Sequence, residues 1–271
     1  CGCGNTTQTT PPPTTDTDNT QEQPVANEMA NMSQPIDALL QTMLVEKTVY
    51  SPEDNDFFWD ALTLFAAGYG GEHQLATETD NAIEMPSQAV QEFASVLFSD
   101  YDDLLPLPEN YENAAYDEAY DQYVFSKIEL VDTTVDLTLL SAENGVYEVE
   151  ATMKNNLLDK KVGTWLVTMI DNPYADGITN PTYLYSIASI EPTEQQSSTS
   201  SFVETLTWTG LDEDGNFLGK TEDGDDVVYS IDSQVRNMLQ NNFKEGDAIT
   251  MVVEVNVLTG GKEISSIDAK K

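Results

Sequence analysis

Cysteine occurs only at Cys1 and Cys3, histidine only at His73 and arginine only at Arg236, so the reactive side chains of this 271-residue chain are mostly carboxylates and phenols. Beyond residue 3 there is no thiol for a nucleophile, a disulfide or a zinc–thiolate site. The phosphate-loop, dinucleotide, zinc-protease and serine-hydrolase signatures G-x-x-x-x-G-K-[ST], G-x-G-x-x-G, H-E-x-x-H, G-x-S-x-G and S-x-x-K are absent. His73 lies in Gly70-Gly71-Glu72-His73-Gln74. This polar run is expected to be an exposed loop, which leaves the imidazole no catalytic task. The 48 acidic residues allow a glycosidase-like dyad, since two carboxyls about 5–10 Å apart suffice. No pair is marked as buried, so no catalytic residue is assigned and the chain is expected not to be an enzyme.

Recognition is the other use for such side chains. Tyr111, Tyr116 and Tyr120 are interleaved with Asp117 and Asp121, and aromatic faces beside acceptors suit a sugar ring or a cationic peptide. Tyr116 and Tyr120 stand four apart, so on a helix they share a face. The competing reading has these tyrosines packing a sheet edge with their hydroxyls in water. Two acidic runs, Asp212-Glu213-Asp214-Gly215-Asn216 and Glu222-Asp223-Gly224-Asp225-Asp226, read as hairpin turns. In the first, glycine stands fourth, whereas an EF-hand loop needs it sixth. No cofactor or metal site is therefore assigned, and weak Ca²⁺ binding by these turns is all the pattern allows. A formal net charge of −37 argues against nucleic acid and anionic headgroups as partners, because phosphate contacts need clustered Lys and Arg.

Cys1-Gly2-Cys3-Gly4 runs into the Thr/Pro-rich stretch 5–15, a composition with nothing to bury. This resembles bacterial lipoproteins, in which the signal peptide is removed just before a cysteine that is then acylated. The resemblance implies lipidation at Cys1, a disordered tether over 1–32, and an extracytoplasmic protein held at the cell surface. No run of about 18 apolar residues exists, so the lipid would be the only membrane contact.

The elements that position these side chains fall into two groups. Ile36, Leu39, Leu40, Met43 and Leu44 form one helical stripe after Ser33 and Pro35. Ser51-Pro52 reads as the cap of a second helix carrying Phe57, Phe58, Ala61, Leu62 and Phe65. A short strand at 82–85 and a third helix opened by Pro86-Ser87, with Val90, Phe93, Val96 and Leu97, follow. From 123 the period changes to two, predicting strands over 123–130, 135–140, 146–153, 163–170 and 183–190 in one antiparallel meander. This order over 33–191 resembles the nuclear transport factor 2-like cone fold, which implies a curled sheet and helices around a pocket. A cystatin-like sheet around one helix is the competitor.

The polar run 192–201 reads as a linker. Over 202–271, turns at Asp214-Gly215, Asp223-Gly224 and Gly260-Gly261, with a helix capped by Asp232-Ser233, give the order β-β-β-α-β-β. That order resembles the OB-fold, a small five-stranded barrel. Its 14 acidic against 6 basic residues do not suit oligonucleotides. The fold class is thus α+β: three helices on a curved antiparallel sheet, then the barrel. The leading functional expectation is a non-catalytic surface lipoprotein that binds a small molecule, glycan, peptide or protein. A carboxylate-based extracellular hydrolase and an envelope assembly scaffold are the alternatives.

Overall fold

The computed structural model describes residues 29–128, 130–176, 181–193 and 199–268. Cys1, the tether up to residue 28 and residues 194–198 of the expected linker lie outside the described residues. Among the described residues the architecture is mixed α+β, with four α-helices and a closed five-stranded barrel. No helix among the described residues is long and apolar enough to cross a membrane.

Helix α1 (Ser33–Glu46) buries Ile36, Leu39, Leu40 and Met43, and ends at Lys47 in the left-handed region. The core reaches back past the expected start at 33, since Met29 and Met32 are also buried. Helix α2 (Asn55–Tyr69) is capped by Asp54, whose carboxylate accepts from the amides of Asp56 at 3.0 Å and Phe57 at 3.2 Å. The cap expected at Ser51 therefore moves three residues on. A carboxylate at the positive end of the helix is the stronger acceptor, and it leaves Pro52 in the preceding turn. Helix α3 (Ser87–Leu97) packs on α2, with Phe93 stacked on Phe65 at 4.3 Å.

The expected single meander is two sheets. Strands β1 (Thr77–Glu78), β2 (Ala82–Pro86), β3 (Ala114–Asp117) and β4 (Gln122–Ser126) form the first, in the order β1-β2-β4-β3. Strand β4 pairs with β2 on one edge and β3 on the other. With both edges used, it has none left for the strand that follows. The second sheet is a meander of β5 (Thr133–Glu143), β6 (Val146–Asn155), β7 (Lys160–Asp171) and β8 (Tyr185–Pro192). Val149, Ala151 and Met153 on β6 and Trp165, Val167 and Met169 on β7 alternate into the core, as a sheet with one covered face requires.

Asn144 (φ 55°) and Gly145 (φ 76°) make the two-residue turn between β5 and β6. A Cβ on Gly145 would also lie 3.0 Å from a carboxylate oxygen of Asp171. Gly145→Ala is therefore expected to cost about 1–2 kcal/mol, measured as a lower midpoint in urea with an unchanged slope.

The barrel comprises β9 (Thr199–Leu211), β10 (Phe217–Lys220), β11 (Asp226–Ile231), β12 (Ala248–Asn256) and β13 (Lys262–Ile267), with α4 (Ser233–Asn242) between β11 and β12. It closes in the order β10-β11-β13-β12-β9, and β11 and β13 run parallel. Asp232 caps α4 through the Val235 amide at 2.7 Å. Leu206, Trp208, Phe217, Ile249 and Val253 fill the interior. Strands β8 and β9 enter the expected linker from both ends, stopping at Pro192 and starting at Thr199.

One loop joins the two cores. Val257 and Leu258, at the β12–β13 turn, are 4% exposed and belong to the core of the first domain, not of the barrel. Asn155 on β6 donates to the Leu258 carbonyl at 2.6 Å and accepts from the Leu158 amide at 2.8 Å. Asn256 holds the loop from the other side, accepting from the amides of Leu258 and Thr259 at 2.9 and 3.0 Å.

Candidate functional site

The tyrosine–carboxylate segment does not lie on a helix. Tyr116 and Asp117 end β3, and Tyr120 and Asp121 form the turn into β4. The geometry ties most of these groups to each other. Tyr116 donates to Asp121 at 2.9 Å, Ser87 at the start of α3 donates to the same carboxylate oxygen at 2.6 Å, and Asp117 accepts from the Ala119 amide. Hydrogen bonds from Ser87 and Tyr116 hold the Asp121 carboxyl below the usual range. Tyr116 also packs on Tyr123 at 4.9 Å. Tyr111 lies apart from the others, half-buried against α2, where it donates to Asp60 at 2.7 Å. Tyr120 is 76% exposed. The network thus clamps a hairpin to α3, with the Tyr116 hydroxyl on a carboxylate rather than in water.

His73 is buried rather than in an exposed loop, because the single turn at Gly70–Glu72 folds it against Phe93. Its Nδ1 accepts from the Leu75 amide at 3.2 Å, and its Nε2 is hydrogen-bonded with Glu92 at 3.1 Å. It borders a cavity of about 190 Å³ whose polar groups satisfy one another. Gln34 bridges Glu72 and Tyr183, and Tyr69 donates to Asp37.

Both acidic runs in the barrel are turns. Asp212 accepts from the Asn216 amide and side chain at 2.7 and 2.9 Å, which holds its carboxyl below the usual range. In the second run, Asp226 pairs with Lys220 at 2.6 Å. Among the described residues no group of three metal-binding side chains comes together.

A dyad hydrolase would need a carboxyl raised beside a second carboxyl. Asp37 on α1, which the sequence did not single out, has its carboxyl pushed above its ordinary value by burial. Its partners are neutral: Thr133 at 2.6 Å, Tyr69 at 2.8 Å and Gln41 at 2.9 Å. That arrangement is a structural knot between α1, α2 and β5.

Two further cavities among the described residues carry several polar groups. The larger, about 580 Å³, is a groove between α1 and the barrel, with Lys47 on one wall and Lys262, Glu254 and Glu263 on the other. Lys262 lies 5.3 Å from the Tyr229 ring centroid, and most of the polar groups here are exposed to water.

The other, about 260 Å³, opens between the end of α3, strand β8 and the turn after β7. Ser95, Asn172 and Ser186 line it, and each is 4% exposed or less. Asn172 caps the turn by accepting from the Tyr174 amide at 3.0 Å and donates to Ser95 at 3.4 Å. Ser186 donates to the Ser95 carbonyl. Gln91, Tyr101 and Tyr174 complete the rim. The Tyr101 hydroxyl is buried with no hydrogen-bond partner among the described residues, which costs about 1–3 kcal/mol. Its phenol is pushed well above the ordinary range by burial, then by Asp103. Sequence reading missed this cluster; the available signal was Ser95 and Ser186 interrupting apolar runs, with Asn172-Pro173 as a turn marker.

No protein-family model matches the chain, and no curated protein matches it either, so a functional reading rests on the chemistry of these cavities.

Proposed function

We propose that this protein is a non-catalytic extracytoplasmic lipoprotein that binds a small polar ligand in the cavity between α3, β8 and the β7–β8 turn. The buried Tyr101 hydroxyl, without a hydrogen-bond partner among the described residues, carries this reading. A native fold keeps an unsatisfied buried polar group rarely, and a ligand hydroxyl or amide at that position offsets the cost. By contrast, the cavity beside His73 is already internally paired, and the groove by Lys262 leaves its groups solvated.

The anchor on Cys1 belongs to the same proposal. The two cysteines stand together beside a Thr/Pro-rich stretch, and the rest of the chain has none. The barrel's closed strand order, its parallel β11–β13 pair and its single helix support the OB-fold resemblance. Helices α1 and α3 packed on the β5–β8 meander support the cone-like reading of the first domain, with α2 on the β1–β4 sheet as a departure from it. In this reading the barrel is an accessory module docked through residues 257 and 258.

Thermal shift with a panel of sugars, amino acids, short peptides, lipids and Ca²⁺ is expected to find a polar small molecule that raises the midpoint. Gln91→Trp, at the half-exposed rim, is expected to abolish that shift while the fold is retained. A ligand that stabilises wild type and Gln91→Trp equally would place binding elsewhere and overturn the assignment.

A further inference from the structure

We propose that the occupant of the α3–β8 cavity is a single neutral, polyhydroxylated ring, a monosaccharide or the terminal unit of a glycan; this rests on the reading of that cavity as a small-ligand site. Size is the first argument. At about 260 Å³ the cavity is below the range of about 300–1,000 Å³ usual for drug-sized ligands, which leaves room for one ring.

Charge is the second. None of the side chains lining the cavity is a cation, and the whole chain carries −37, so an anion would enter against the field with no counter-charge. A cation has one carboxylate to meet, Asp102, and that residue is exposed, where water screens it. The buried groups are all neutral.

Hydrogen-bonding capacity is the third argument and the most specific. Hydroxyls of Ser95, Ser186 and Tyr101 and the amide of Asn172 each both donate and accept. After their internal bonds are counted, the Tyr101 hydroxyl has no partner among the described residues. Ser186 and Asn172 still have unused capacity, because a hydroxyl keeps its lone pairs after donating once and an amide has a second hydrogen. A surface of groups that work in either direction matches sugar hydroxyls, which also do both. Tyr101, Tyr174 and Phe98 supply apolar surface beside them, as the C–H face of a ring needs. Phe98 is itself held by stacking on Phe58 at 4.8 Å.

The test titrates the protein with free glucose, galactose, mannose and N-acetylglucosamine, with tetramethylammonium as the cation probe and inorganic phosphate as the anion probe. Chemical-shift changes and calorimetry are the readouts. At least one sugar is expected to bind, with affinity reduced tenfold or more in Tyr101→Phe and lost in Gln91→Trp. Without ligand, Tyr101→Phe is expected to melt at or above the wild-type midpoint, because it deletes an orphaned hydroxyl; lost binding in that variant is then not a folding defect. Tetramethylammonium or phosphate binding that Gln91→Trp abolishes, with no sugar binding, overturns the sugar class and leaves the cavity as a ligand site. Sugar binding that neither variant changes overturns both the class and the site. Failure of all four sugars at millimolar concentration overturns the class.

Discussion

Leu258→Asp is expected to split the unfolding of this protein into two transitions and to destabilise the first domain by about 4 kcal/mol. Leu258 is 4% exposed and sits in a core to which the barrel otherwise contributes only Val257. Truncating a buried leucine costs about 2–5 kcal/mol, and an unpaired carboxylate in its place adds a desolvation penalty. The barrel core, built on Leu206, Trp208, Phe217, Ile249 and Val253, contains neither residue, so its own transition is expected to persist. Tryptophan positions make the split measurable. Trp59 and Trp165 are in the first core and Trp208 in the barrel, so a Trp208→Phe background reports the first domain alone. Leu258→Met, which keeps volume and apolarity, is expected to cost under about 1.5 kcal/mol and to keep the domains coupled. A single transition at the wild-type midpoint in Leu258→Asp would mean that the loop does not join the domains.

The same loop marks where sequence reading stops. Alternation and turn chemistry predict the barrel strands to within a few residues, because a small barrel is built from local hairpins whose Asp-Gly turns and two-residue period are both visible. Helix stripes are legible for the same reason. What escapes is pairing beyond the next strand. Strand β4 has the right alternation for the meander, yet Met85 opposite Tyr123 and Tyr116 opposite Tyr123 place it in another sheet, and no local signal distinguishes these partners. Val257 and Leu258 carry no local sign that they pack in the other core. For the cavities the limit is sharper. Tyr111, Tyr116 and Tyr120 stand out by composition, but the structure gives the Tyr116 and Tyr111 hydroxyls carboxylate partners and separates Tyr111 from the hairpin. Ser95, Tyr101, Asn172 and Ser186 are inconspicuous as letters and come together from three elements. His73 looks like a loop residue until the turn before it is seen to bury the ring.

Asp37 separates the value of its shape from the cost of its charge. Burial raises its carboxyl above the ordinary 3.8, opposed by the hydrogen bonds from Thr133, Tyr69 and Gln41. Because the folded value is the higher one, the folded protein holds this proton more tightly than the unfolded chain. The resulting stability is fully present below about pH 3.8 and is lost as pH rises through the folded value. At neutral pH the ionised group is therefore a net cost that a neutral isostere removes. Asp37→Asn fits that role. Its oxygen can take over the bonds from Tyr69 and Gln41, and its amide can donate to Thr133, whose hydroxyl turns to the Val131 carbonyl, now 3.4 Å away. Asp37→Asn is expected to match or exceed wild-type stability at pH 7, and its advantage is expected to shrink on acidification toward pH 4. The difference between the two proteins is the quantity to measure, since the remaining acidic residues titrate in both. Asp37→Leu removes the acceptor that Tyr69, Gln41 and Thr133 share, leaving the Tyr69 hydroxyl without this partner while Gln41 and Thr133 fall back on the Val131 carbonyl, so a loss of about 1–3 kcal/mol is expected at any pH. Urea denaturation of the three proteins between pH 4 and 7.5 distinguishes these cases. Equal, pH-independent destabilisation of the Asn and Leu variants would show that α1 needs the negative charge itself.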